Sequence, residues 1–296
     1  MKVSSIDFKF TGTLNNKLDH NNNNILCLTI DVEPDFGGLL ASDYYYGKDH
    51  LHKLKDIVEK YDLALTVFVT GKTLEDNPDI YDLLASMNAE VQQHSYSHQV
   101  GHESKLSDIK KGIEIHEELI GVKPIGYRAP QGIITKDEAV YLSKEGIKYD
   151  SSIFPAFFPG RFNRLNFPTE PFIIKDTEIL EIPFSVIPKI RTPIGLSYIQ
   201  LLGLDTFKAL FKLFGIPPLI IFDFHSYELG KVKSYDSLSL PMKAGYYRAQ
   251  KMYNDPFDVL EKFIHYLREK EYESRYMFDI YKEKINNSPV WDWNLK

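Results

Sequence analysis

The chain has 296 residues, 43% of them hydrophobic and 26% charged, enough apolar material for a large buried core. Its net charge of −6 argues against a general nucleic-acid binder, which would carry a basic face. The single cysteine, Cys27, excludes an internal disulfide, and its place in an apolar run makes it a small core hydrophobe.

Residues 1–10 lack the apolar core of a signal peptide and no stretch reaches membrane-spanning length, so the expectation is a cytoplasmic protein. Residues 1–24 read as an N-terminal arm ending in the polar run Asn21 to Asn24. From residue 25 a β-then-α rhythm begins. A short apolar strand at 25–31 precedes a helix at 50–61 with Leu51, Leu54, Ile57 and Val58 on one face. A β-branched strand follows at 63–70, and Asn77-Pro78 marks a helix start. The next strand, 89–93, leads to a helix at 107–120 with Ile109, Ile113 and Leu119 inward and Gly121 as its stop. A strand at 124–128 is followed by a helix that opens on the capping box Thr135 to Glu138 and ends at Gly146. Further strands are expected at 147–150, 179–184, 219–225 and 275–281, with helices at 205–214 and, capped by Asp255, at 256–270.

Alternation of this kind predicts a parallel sheet covered by helices, and at this length a barrel of βα units rather than an open sheet. No Gly-x-Gly-x-x-Gly follows the first strand, which removes the sign of a dinucleotide fold. With no internal repeat and no linker, residues 1–296 read as one domain with its core at about 25–281.

Polar residues stand at the C-terminal ends of these strands, where βα barrels gather their chemistry. Asp31, His94, Arg128, Asp150 and His225 each end one. His94-Ser-Tyr-Ser-His98 places two imidazoles four residues apart, which one helical turn would set side by side as metal ligands. Two histidines and a carboxylate make an open metal site, a further aspartate can act as base, an isolated histidine as acid, and an arginine can hold a carboxylate. Each residue alone also has a plain structural reading, as a cap, a surface ion pair or a core histidine.

The order Thr29-Ile-Asp-Val-Glu33, His94-Ser-Tyr-Ser-His98, Arg128-Ala-Pro-Gln-Gly132, Asp150-Ser-Ser and Phe224-His225 resembles the polysaccharide deacetylase family, the NodB-homology group or carbohydrate esterase family 4. The resemblance runs from about 25 to about 281. It implies an irregular, seven-stranded (β/α) barrel that binds a divalent metal, zinc first, and removes acetyl groups from N-acetylated sugars. By that resemblance His94 and His98 are metal ligands, Asp31 the general base, Arg128 its orienting partner, His225 the general acid and Asp150 the residue that tunes His225.

The chain departs from the family pattern where Val32 replaces the usual second aspartate. Residues i and i+2 of a strand share a face, so Glu33 is the expected third ligand, as in a D-x-E branch of the family, with Asp35 behind it. Gln131 stands where an aromatic often follows the arginine motif, and no tryptophan follows Asp150. Asp223 shares a strand face with His225 and is read as assisting the acid, crowding the metal or pairing with Arg128. In 196–217, Phe207, Leu210, Phe211 and Phe214 form a helical stripe that reads first as core packing; its sharper reading is a weak membrane-surface contact serving a lipid-linked sugar. The leading expectation is a metal-dependent hydrolase that removes an acetyl or formyl group from an N-acylated sugar. Two readings stand beside it: a metal-independent relative that hydrolyses a small cyclic or ureido amide, and a carbohydrate-binding protein that has lost catalysis.

Overall fold

The computed structural model describes residues 24–34, 50–98, 105–230, 239–240, 243–244 and 255–292. Residues 1–23 of the expected N-terminal arm, and Asp35, lie outside the described residues. Among the described residues no helix is long and apolar enough to cross a membrane.

Strand β1 (Ile25–Val32) sits at the centre and is buried along its whole length. It is flanked on one side by β2 (Leu65–Val69), β3 (Glu90–Gln93), β4 (Gly126–Tyr127) and β5 (Tyr149–Asp150), in that order. On the other side lies β10 (Leu219–His225), the last long strand. Beyond β5 comes β9 (Leu180–Glu181), and these seven strands all run parallel. Past β9 the sheet turns antiparallel through β8 (Phe172–Ile174), whose outer neighbour is β12 (Val290–Trp291). The mixed α/β architecture is the one expected, with seven parallel strands. Among the described residues no continuous ladder joins β9 to β10. Instead, Ser185 donates to Leu219 O and accepts from Ile221 N, and Gly195 bridges Asp223, so the segment after β9 lies against β10.

Both faces of β1 are buried, and its alternation sorts the side chains. Leu26, Leu28, Ile30 and Val32 join the large cluster under the helices, whereas Ile25 and Cys27 face a second, inner cluster with Phe68 and Tyr149. Strand β10 repeats this: Ile220, Phe222 and Phe224 face the helices, and Ile221 faces inward. By the same alternation Thr29, Asp31, Asp223 and His225 enter the interior nearer the C-terminal rim. Cys27 is the buried hydrophobe expected.

The covering helices are α1 (Leu51–Lys60), α2 (Gly71–Asp76), α3 (Ile80–Ser86), α4 (Lys105–Ile120), α5 (Lys136–Lys144), α6 (Leu196–Leu202), α7 (Leu204–Phe214), α8 (Pro256–Arg268) and α9 (Met277–Lys284). The capping box of α5 forms through Thr135 and Glu138 as read, and Gly121 takes the left-handed φ of +86° that ends α4. The start read at Asn77-Pro78 moves to Ile80, because the Asn77 side chain donates to Thr73 O and closes α2 instead. Leu119, expected inward, is exposed.

A larger correction falls on 275–281. Only Glu273–Ser274 (β11) is strand, and the following residues form α9. The backbone N–H groups of Met277 and Phe278, free at a helix start, are taken up by Thr66 Oγ1 and Glu90 Oε2 from the neighbouring strands. The apolar alternation Tyr276, Phe278, Ile280 reads as a strand from the sequence alone.

The stripe on 196–217 belongs to the core. Gly203, at φ +92°, breaks the segment into α6 and α7. Phe207 and Phe211 are buried in the large cluster, with Leu210 and Phe214 packed against it. The Phe211 ring also lies parallel to Tyr266 of α8 at 6.2 Å. A face already packed against protein is not available to lipid, so the membrane-contact reading is withdrawn. Truncating Phe207 to alanine is expected to destabilise the fold by about 3–5 kcal/mol, read as a lower urea midpoint with unchanged slope.

Candidate active site

At the C-terminal rim the inward-facing residues of β1 and β10 meet. Asp31 is in register with His225, and Thr29 with Asp223. Glu33 follows β1 on the same face as Asp31 and is buried.

Arg128, just after β4, crosses this space and is almost fully buried. Its Nε donates to Ser151 O at 3.0 Å. One terminal nitrogen reaches Asp31 Oδ1 and Asp223 Oδ1, both at 2.7 Å, and the other reaches Thr29 Oγ1 at 3.0 Å and Ser151 Oγ at 3.2 Å. Every one of the five guanidinium N–H donors thus has an acceptor. The flat ion lies between the rings of Phe68 and Phe184, 4.1 and 4.4 Å from their centres. Burial, with the Asp31 charge beside it, raises the Asp223 carboxyl to about 7.

The segment 94–98 is not helical. Ser95 and His98 both take left-handed φ values, +60° and +61°, and the two imidazole rings meet 5.2 Å apart across this tight turn. Helices α2 and α4 clamp it. Gly71 N and Lys72 N donate to Ser95 O and Tyr96 O. The Asp108 carboxylate accepts from Tyr96 N, Ser97 N and Ser97 Oγ. Gly112 lets α4 approach so closely that an added Cβ would meet Ser95 C at 2.7 Å.

This turn delivers both imidazoles to Glu33. His98 Nε2 is 2.8 Å and His94 Nε2 3.3 Å from Glu33 Oε2. His94 Nδ1 is 2.8 Å from Arg128 O, and a carbonyl only accepts, so Nδ1 carries the proton and Nε2 presents its lone pair to the site. Although buried, Glu33 Oε2 and His94 Nε2 have no hydrogen bond. Burial alone would raise the Glu33 carboxyl, but His98, His94 and His225 hold it well below the usual carboxylate range. Burial would likewise lower His98, and Glu33 reverses the sign. One carboxylate oxygen and two imidazole nitrogens converging in this way suit a divalent cation, and the N,N,O set suits zinc.

His225 stands across from this cluster, its Nε2 3.8 Å from Asp31 Oδ2 and 3.9 Å from Glu33 Oε1. Burial would lower its pKa, but Glu228, Asp223 and Glu33 raise it well above the ordinary histidine value. The expected partner of His225, Asp150, is engaged elsewhere. It neighbours Glu181 across β5 and β9, accepts from Ser152 Oγ at 2.7 Å, and has its carboxyl raised by burial. Glu181 accepts from Ile153 N and is raised further by burial and by the Asp150 charge. These two acids form a pair of their own. The carboxylate that faces His225 Nδ1 is Glu228, a residue the sequence reading passed over. Its spacing of three from His225 was a visible signal once a 3₁₀ turn is allowed.

These groups floor a cavity of about 510 Å³. Its walls include Phe158 and Phe162 of the hairpin β6 (Phe157–Phe158) and β7 (Phe162–Asn163), with Tyr198 and Tyr227. The aromatic surface missing at Gln131 is therefore supplied by other segments. Gln131 itself accepts from Arg161 at the rim.

Of the sequence-predicted site residues, the structure brings Asp31, Glu33, His94, His98, Arg128 and His225 together, and sets Asp150 apart. Replacing Arg128 by methionine leaves Asp31 and Asp223 buried without their cation. Denaturant unfolding should show a loss of about 3–5 kcal/mol, partly recovered by adding Asp223→Asn.

Residues 20–149 match the model of the polysaccharide deacetylase family, a span carrying Asp31, Glu33, His94, His98 and Arg128. A peptidoglycan deacetylase-like protein of Gibberella zeae is 29% identical over 122 residues, covering 38% of this chain and 36% of that protein. The peptidoglycan deacetylase of Helicobacter pylori is 28% identical over 130 residues, covering 43% of this chain and 44% of that one. The match thus spans less than half the length of either relative. A solved structure from Mycobacterium smegmatis, of a protein assigned to the polysaccharide deacetylases, shares the fold with a TM-score of 0.62 at 18% identity, covering 93% of this chain and 94% of that one. Over residues 20–149, the span that carries Asp31, Glu33, His94, His98 and Arg128, the chain is thus similar to the polysaccharide deacetylases, and over most of its length it shares their fold.

Proposed function

We propose that this protein hydrolyses the N-acetyl group of an N-acetylated sugar, using a divalent metal, zinc first, held by His94, His98 and Glu33. The observation that carries this reading is the convergence of these three ligands beside Asp31 and His225 at the floor of an aromatic-walled cavity. Aromatic faces suit the apolar faces of sugar rings, and the cavity volume suits a small ligand.

When bound, the metal supplies Lewis acidity to the acyl oxygen and to the attacking water. The chain's own residues do the rest. Arg128 occupies Asp31 Oδ1, which fixes the carboxylate and leaves Oδ2 facing His94 and His225. Asp31 Oδ2 takes a proton from water as the water oxygen bonds to the acyl carbon. His225 gives its Nε2 proton to the sugar nitrogen as the C–N bond breaks and its electron pair stays on nitrogen. The products are acetate and the free amino sugar. Walls from Phe158, Phe162, Tyr198 and Tyr227 orient the ring and limit water around the charged groups.

Glu33 replaces the aspartate usual one position earlier. Because i and i+2 share a face, it adds its reach from beyond Asp31 without turning the strand over. Wild-type protein should hold one zinc per chain by mass spectrometry and release acetate from chitooligosaccharide or peptidoglycan fragments. Glu33→Gln keeps the shape and removes the charge. It should weaken zinc binding by more than about 100-fold, beyond what loss of an outer-shell partner costs, and acetate release should fall with it. Equal acetate release from chelator-treated, metal-free protein would overturn the metal assignment.

A further inference from the structure

The His225 ring is held from two sides that the reaction above does not use. The ring of Tyr227 lies against it, with centroids 4.9 Å apart and planes 25° from parallel. At the other ring nitrogen, Glu228 Oε1 is 3.4 Å from Nδ1, while Glu228 Oε2 accepts from the His225 backbone N–H, also at 3.4 Å. Among the described residues, Asp31, Glu33 and Asp223 lie close to the ring, and Glu228 is the carboxylate paired with Nδ1.

The local backbone explains this placement. Ser226–Leu229 forms a 3₁₀ turn directly after β10. With three residues per turn, side chains three apart eclipse, so Glu228 comes back over His225. The Ser226 hydroxyl donates to Glu33 O, which pins the turn to the end of β1. Nδ1 is buried and has no hydrogen bond, a state unfavourable for a polar atom unless a partner closes on it. The Glu228 carboxylate is the group placed to do so, and hydrogen bonds of this kind often tighten only with substrate bound.

We propose that Glu228 positions His225 as the acid of this site, taking the role that the family pattern gives to Asp150. The inference rests on His225 as the proton donor in the proposed reaction. By accepting from Nδ1–H, Glu228 fixes that proton on Nδ1 and leaves the transferable proton on Nε2, the nitrogen that faces Asp31 and Glu33. After transfer, Nε2 is left with its lone pair, the sugar nitrogen has gained the proton, and Nδ1–H still points to Glu228. Asp150, by contrast, accepts from Ser152 and lies beside Glu181 across β5 and β9.

Glu228→Gln preserves size and removes the carboxylate. A leaving amine needs the proton from His225, whereas 4-nitrophenolate leaves without one. Zinc-loaded Glu228→Gln should therefore lose about 100-fold in kcat for acetate release from chitooligosaccharide, yet stay within about twofold of wild type on 4-nitrophenyl acetate. Nitrogen-15 NMR of histidine-labelled protein supplies a readout apart from activity: the His225 Nδ1 signal, identified with His225→Gln, should shift in Glu228→Gln. Equal losses on amide and ester, or an unchanged Nδ1 signal, would overturn the role of Glu228. Wild-type protein that releases no acetate would instead overturn the hydrolase reading, whatever the Nδ1 signal shows.

Discussion

The rim of this fold depends on one buried cation. Arg128 reaches Thr29 and Asp31 from β1, Ser151 just beyond β5 and Asp223 from β10, so a single guanidinium spans strands far apart in sequence. Its planar fork meets acceptors in fixed directions, which a lysine ammonium could not match. Burying two carboxylates and one cation leaves an excess of negative charge, and the interior relieves it by raising Asp223 to about 7. Asp31 is thereby held beside Glu33 and His225 with one oxygen occupied and the other facing them.

Around that centre, charge and hydrogen bonding divide the acids by task. Glu33 lies among three imidazoles, which favour its ionised form and leave it ready to hold a cation. Asp150 and Glu181 face each other in a buried site, which favours sharing a proton. Glu228 lies against the Nδ1 edge of His225. Acids of similar chemistry, all close to one rim, thus acquire different states from burial and from the nearest charge.

The histidine turn shows how such a rim is kept rigid on irregular backbone. Two left-handed residues in five would be costly in isolation, and α2 and α4 offset the cost by satisfying its backbone groups. Asp108 and Gly112 do not line the cavity, yet both act on the same short turn, meeting at Tyr96 N. The placement of the two imidazoles there depends on helix packing as much as on the histidines.

What the sequence by itself determined was direction. Alternation along β1 and β10 put Asp31, Glu33, Asp223 and His225 on the inward face, because side chains in a strand alternate whatever surrounds them. The parallel α/β class was legible for the same reason, as was the pairing of His94 with His98, though through a turn rather than a helix. Only the tertiary structure decided which inward groups meet. Strand order and register brought Asp150 to Glu181 and left Glu228 at His225. Neighbouring strands turned the expected strand at 275–281 into a helix over Met277–Lys284 by accepting its first free N–H groups. Local periodicity reports where a side chain points; its partner is set by packing between segments distant in sequence, where burial makes each unmet hydrogen bond or charge expensive.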